Sequence, residues 1–202
     1  MNFLAHLFLA DITRDSLIGQ LLGDFVKGSA LGKYSGDIQS AILFHRKIDS
    51  YCDAHPLTRV SRNRVGPRRR RFAGVIVDVA YDHFLAQNWH CFHPEPLSAF
   101  ARRVYAVLRQ DPTPLPARLD SVLPKMIAHD WLAGYLDLNN IAMALDRIAG
   151  RLSRGAPFLG SIVDIREHYV GMQNDFLSFF PDLIRFSKAY SRQSAAAPSH
   201  SS

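Results

Sequence analysis

The chain is poor in cysteine: Cys52 and Cys91 are the only two in 202 residues. Their spacing fits neither a thiolate metal site nor a redox pair, which argues against both chemistries and against a disulfide-stapled scaffold. Two reduced thiols are what a reducing cytosol maintains. No apolar run reaches the roughly 20 residues that a membrane-spanning helix needs. The opening stretch, Met1 to Asp11, is apolar but has no basic flank, and His6 and Asp11 interrupt or end it. It therefore reads as the first helix of a mature cytoplasmic protein rather than a signal peptide. Internal repeats and convincing strands are absent as well.

What remains is a chain of ordinary apolar content, 48%, long enough to build one full core. Its periodicity is helical nearly throughout, which predicts an all-α, single-domain bundle over residues 1–190 and a small, polar, flexible tail over 191–202. Helices are expected over about 2–9, 15–27, 35–54, 72–89, 97–109, 117–128, 131–135, 137–151 and 161–180. Pro181 is expected to start a further turn or two, to about Tyr190. His55-Pro56 ends the third of these, because the residue before proline is pushed out of the helical region. The stretch from Leu57 to Arg71 reads as an arginine-rich connector.

Against this background, ionisable residues fall on faces that should be buried. Residues four apart share a helix face, so His45 pairs with Asp49, Asp78 with Asp82, and Asn2 with His6. His83 sits one step round from Asp82, and Asp24 follows the apolar run Leu17–Gly23. Burying charged groups singly is expensive, so several among apolar neighbours point to a common partner. A divalent cation is the simplest, and helical bundles build such sites from ligands on facing helices. Imidazole with carboxylate and without thiolate suits Mn, Fe, Zn or Mg. Such an ion lowers the pKa of bound water and polarises a phosphoryl oxygen, which points to a metal-dependent hydrolase. The plainer alternatives are a hydrogen-bonded core His6, a solvated Asp78/Asp82 face, and a simple ion pair between His45 and Asp49. The adjacent His129-Asp130 pair lies at a helix break and has no accompanying ligand spacing.

The net charge of +6 favours an acidic partner. Arg59, Arg62, Arg64 and Arg68 to Arg71 crowd the connector before the Asp78 helix. They read either as a solvated loop or as a docking strip for phosphate or carboxylate, which guanidinium forks bind bidentately. Few aromatics interleave with them, which weakens a nucleic-acid reading.

At these residues the chain resembles the acyl carrier protein phosphodiesterases. The resemblance is carried by Met1-Asn2-Phe3-Leu4-Ala5-His6-Leu7, Leu22-Gly23-Asp24-Phe25-Val26-Lys27-Gly28, His45-Arg46-Lys47-Ile48-Asp49, and Asp78 through Asp82-His83-Phe84-Leu85. It implies an atypical HD-domain-like metallohydrolase that removes 4′-phosphopantetheine from a serine of the acidic holo acyl carrier protein and depends on Mn²⁺, with Mg²⁺ or Fe²⁺ as alternatives. It implies His6, Asp24, His45, Asp49, Asp78, Asp82 and His83 as metal-binding candidates. Asp24 would be the leading catalytic residue, with His83 or His45 as proton donor to the leaving group. Arg46, Arg68, Arg69, Arg70 and Arg71 would steady the phosphate or the carrier. The adjacent His-Asp pair of the usual HD pattern is absent: Gly23 precedes Asp24, Arg46 follows His45, and the adjacency at Asp82-His83 is reversed. The other readings are an HD-type phosphohydrolase acting on a nucleotide and a basic, non-enzymatic helical binder. Oligomeric state leaves no mark on the sequence.

Overall fold

The computed structural model describes residues 1–151 and 156–196. Among them every regular element is helical. The helices are α1 (Phe3–Thr13), α2 (Leu17–Leu22), α3 (Gly36–Ala54), α4 (Pro56–Arg64), α5 (Ala73–Gln87), α6 (Leu97–Gln110), α7 (Ala117–Ala128), α8 (Trp131–Gly134), α9 (Leu138–Ala149), α10 (Ile162–Glu167) and α11 (Tyr169–Ala196), with short 3₁₀ turns between several of them. This is the all-α bundle expected. No described helix is long and apolar enough to cross a membrane.

Two helices form the centre because they are apolar almost all round, the pattern of a helix buried on every side. Leu4 to Ala10 of α1 and Ile76 to Ala86 of α5 are nearly continuously buried. Helix α1 packs against α2, α5 and α11, and α2 lies along α3. Arg14 in the left-handed region (φ 59°) stops α1. Ser16 then starts α2 by accepting from the Gly19 N–H, satisfying one of the donors a helix start leaves open.

Three boundaries differ from expectation. The arginine-rich stretch is no open connector. It forms α4 and a 3₁₀ turn over Pro67–Phe72. Thr58, Ser61 and Val65 recur at helical spacing and are buried, while the arginines between and after them are exposed or half-buried. A stripe of small polar residues gives no apolar signal. Ser61 Oγ donates to Asp175 on α11 at 2.9 Å and accepts from the Tyr81 hydroxyl on α5 at 3.0 Å. The expected helix over 15–27 contracts to α2, whose end at Leu22 lets the chain turn so that Asp24 faces the surface. The helix that begins near residue 161 breaks at His168, then runs on through Pro181. Proline removes the bond to the Leu177 carbonyl. Buried Phe179, Phe180 and Leu183 hold the two sides together, with Phe180 packed against Phe8 and Phe92. The helix extends to Ala196, and the rest of the predicted tail, residues 197–202, lies outside the described residues.

Candidate active site

The site is built where α1, α2 and α3 meet. His6 projects from α1 and His45 from α3, and their imidazole rings stack with centroids 3.8 Å apart. Both are 2% exposed. One turn beyond His45, Asp49 presents one oxygen to each ring: Oδ1 lies 3.1 Å from His6 Nε2, and Oδ2 lies 3.1 Å from His45 Nε2. Asp24, half exposed in the turn after α2, brings Oδ1 to 3.4 Å from His45 Nε2. The Met1 α-amino group is buried beside the cluster, 3.5 Å from Asp49 Oδ1 and 3.2 Å from Asp78 Oδ1.

Two residues not singled out from the sequence shape this arrangement. Gln20 of α2 is fully buried. Its amide nitrogen donates to Asp15 Oδ2 at 3.0 Å and to the Ala41 carbonyl at 3.2 Å. Its oxygen must therefore face His6 Nδ1, 3.2 Å away, and that nitrogen carries the proton. A lone polar residue inside an apolar run was the only sequence signal for Gln20. Gly23 is the second. A Cβ there would lie 2.2 Å from His45 Cγ and 2.4 Å from its Cδ2, so only glycine lets this turn approach the ring.

The electrostatics follow from burial and proximity. Burial, reinforced by the neighbouring His45, holds His6 below its ordinary pKa and keeps it neutral. Burial also opposes a charge on His45, but Asp24 and Asp49 overcome it and raise the imidazole to about 9. Burial works against ionisation of Asp49 and Asp24. His45 and His6 nevertheless hold Asp49 far below the usual carboxylate range, and His45 holds Asp24 below it. Neutral His6, protonated on Nδ1, directs the lone pair of Nε2 at a carboxylate oxygen. Two acceptors 3.1 Å apart attract only through a cation between them. One ligand atom from each of His6, His45 and Asp49 can be chosen so that all lie within 4.8 Å of one another. The donor set of two imidazoles and a carboxylate is thus shaped for a metal ion.

Residues 1–183 match the family described as acyl carrier protein phosphodiesterase. The chain is 36% identical over 186 residues to the acyl carrier protein phosphodiesterase of Yersinia pestis, covering 92% of this chain and 96% of that one. It is 36% identical to that of Photorhabdus laumondii, with 90% and 92% covered, and 32% identical to that of Serratia proteamaculans, with 93% and 98% covered. The chain belongs to the acyl carrier protein phosphodiesterase family. No solved structure matches it significantly.

In this member of the phosphodiesterase family, the structure brings together four of the seven candidate ligands: His6, Asp24, His45 and Asp49. Asp78 reaches the group only through the Met1 ammonium. Burial opposes that ammonium's charge, and Asp78, with Asp49 and Asp82 among the groups assisting, holds its pKa up at about 12. Asp82 is elsewhere. Completely buried, it accepts from the Asn2, Leu4 and Ala5 backbone N–H groups at 3.2, 2.7 and 3.4 Å, so it caps α1 and has no place in the cluster. His83 is also elsewhere: Nδ1 lies 2.7 Å from the Tyr135 carbonyl and Nε2 lies 2.9 Å from the Tyr169 hydroxyl. With both nitrogens engaged there, His83 has none to offer to a metal or a leaving group.

Most of the arginines are likewise committed. Arg46 donates to the Val26 carbonyl at 2.8 Å and braces the turn that carries Asp24. Arg62 pairs with Asp53, Arg64 with Asp175 and Arg69 with Asp164, while Arg70 donates to Asn63. Arg71 lies over the Phe72 ring. Arg68 is exposed. Much of the expected docking strip therefore ties α4 and its following turn to α3, α10 and α11. Asp130 caps α8 through the Ala133 N–H.

Proposed function

We propose that this chain is a metal-dependent phosphodiesterase of the cytoplasm that hydrolyses 4′-phosphopantetheine from the serine of an acidic holo acyl carrier protein, giving the apo carrier. The observation that carries the proposal is the His6 Nε2 lone pair aimed at Asp49 Oδ1, in a chain of this family. The stacking of His6 on His45 and the locked tautomer of His6 support a preformed cation site, because such outer contacts orient ligands. His6, His45 and Asp49 would hold the ion, Mn²⁺ by preference and Mg²⁺ or Fe²⁺ as alternatives. Helix-borne histidine and aspartate ligands are also what supports an HD-domain-like reading of the bundle. When bound, the cation would supply charge stabilisation to the phosphodiester and a more acidic water.

The remaining chemistry belongs to the chain. Asp24 is half exposed at the edge of the cluster and held ionised, so it can take a proton from the water that attacks phosphorus. The bond to the carrier's serine oxygen then breaks, and Asp24 returns that proton to the departing oxygen. The products are the serine hydroxyl and 4′-phosphopantetheine as a phosphate monoester. Arg46, which braces the Asp24 turn, fixes the height of the carboxylate above the cluster. The chain's net positive charge suits an acidic protein substrate.

Incubation with holo carrier and Mn²⁺, followed by mass spectrometry of the carrier, tests the reading. Loss of the phosphopantetheine mass is expected, with none for Asp24→Ala. An unchanged carrier alongside nucleotide turnover would replace this reading with a nucleotide phosphohydrolase. Full activity of Asp24→Ala would overturn the role assigned to that residue.

A further inference from the structure

A cavity of about 670 Å³ opens between α7 and α9. Arg118 and Lys125 enter it from α7, Arg147 from α9, and Arg151 from just beyond α9, with His129 and Trp131 completing the wall. Among the described residues no carboxylate lines it. Among the described residues Arg118, Lys125, Arg147 and Arg151 form no ion pair, in contrast to Arg62, Arg64 and Arg69. Four cations around one hollow, none of them ion-paired among the described residues, are mutually repulsive, and an anionic occupant relieves that repulsion.

The cavity also adjoins the candidate active site. Trp131 packs against Phe3 of α1, with ring centroids 6.4 Å apart, and Phe3 is three residues before His6. The Arg118 guanidinium lies 5.7 Å from the centroid of the Phe25 ring, and Phe25 directly follows Asp24. A macromolecule bound here would stand beside the exposed carboxylate. The hollow has basic walls and a single tryptophan, without the succession of aromatic platforms on which nucleic-acid bases stack.

We infer that the Arg118–Lys125–Arg147–Arg151 cavity is the docking cleft for a carboxylate-bearing segment of the carrier protein. This rests on the proposed function, and it moves carrier recognition from the Arg68–Arg71 turn to the α7–α9 face. The cavity cations would pair with carrier carboxylates and set the distance from the modified serine to Asp24.

The test uses the Arg118→Glu/Arg147→Glu double variant, with Arg118→Gln/Arg147→Gln as a milder form. Arg102→Glu/Arg109→Glu on the exposed face of α6 controls for net charge. Binding of fluorescently labelled apo carrier, which has no bond to cleave, is read by anisotropy at two salt concentrations. Charge reversal is expected to weaken binding by at least about tenfold, and neutralisation by less, with a flatter salt dependence. On holo carrier, KM should rise in parallel while kcat stays within about twofold, and hydrolysis of bis(4-nitrophenyl) phosphate should not change. The α6 variant should stay within about twofold throughout.

Equal carrier binding by wild type and both cavity variants would overturn the inference, as would a wild type that binds no carrier. Unchanged carrier binding with lost affinity for phosphopantetheine would also overturn it, reassigning the cavity to the prosthetic group. Cavity-dependent binding without hydrolysis would keep the cleft and remove the proposed reaction. Hydrolysis indifferent to the cavity would do the reverse.

Discussion

Asp49 on α3 and Asp82 on α5 each stand one turn after another ionisable residue, His45 and Asp78 respectively, and their surroundings could hardly differ more. Asp82 accepts from three backbone N–H groups at the start of α1 and lies wholly inside the protein. Burial lifts its pKa to about 7 against the pull of those donors and the nearby Met1 ammonium. Asp49 is met by two imidazole nitrogens, one of them a lone pair, and by an ammonium group. The histidines divide in the same way. His83 is satisfied at both nitrogens by protein, whereas His6 is satisfied at Nδ1 and left facing a carboxylate at Nε2. A buried polar residue whose partners are complete belongs to the architecture. One whose partners include a second acceptor calls for a cation.

The sharpest break in this comparison is between two alanine variants. Asp49→Ala should lower kcat/KM by about a thousandfold, roughly 4 kcal/mol of transition-state stabilisation, and abolish retention of Mn²⁺ on gel filtration of the folded protein, with a urea midpoint lowered by the loss of its ion pairs with His45 and the Met1 ammonium. Asp82→Ala should affect stability and spare metal retention. It strands N–H groups at the buried start of α1 and should cost about 3 kcal/mol in urea denaturation, with turnover per folded molecule kept within about tenfold. An Asp82→Ala protein of wild-type stability and no activity would erase the distinction.

Gly23→Ala sharpens it next. The new methyl group would press on the His45 ring. Displacing that ring by a fraction of an ångström to an ångström should reduce kcat by about a hundredfold with a small change in melting temperature. Gln20→Leu should follow, because it releases the His6 tautomer. Calorimetric titration with Mn²⁺ should show affinity about tenfold to a hundredfold lower, the range for losing a contact that orients a ligand.

The last effect is on stability alone, in metal-free protein. Asp24 and Asp49 hold His45 above its unfolded value of about 6.5 and up to about 9. The stabilisation is therefore complete below the unfolded pKa and is lost as pH rises through the folded one. Asp24 and Asp49 are shifted the other way, so their contribution is present above the ordinary carboxylate pKa and fades in acid. The gap in urea midpoint between wild type and His45→Gln should be widest near pH 6 and should close by about pH 10. A gap independent of pH would contradict the ion-pair geometry.

The helices were legible where an apolar stripe marked them, as in α3, α6 and α9, and where proline or a capping residue marked an end, as at His55-Pro56. They were not legible where the inward face is polar. Helix α4 buries Thr58 and Ser61, and the two partners of Ser61, Asp175 and Tyr81, lie 114 and 20 residues away from it, beyond the reach of local periodicity. The site was legible in its main members, because His45 and Asp49 share a face by spacing alone. Gln20 and Gly23 were not, since one acts through a tautomer and the other through the absence of a side chain.

The amino-acid sequence by itself determined that this protein is helical, that α1 and α5 lie inside, and that aspartates and histidines accompany them there. These are consequences of period and hydrophobicity, which are local properties of a chain. Only the tertiary structure decided which of those residues meet: that Asp49 faces two imidazoles, that Asp82 is taken by the start of α1, and that the charges of the arginine stretch close on Asp53, Asp164 and Asp175. The reason is that a side chain's role depends on which donors and acceptors remain open after packing, and that balance is struck between helices distant in sequence.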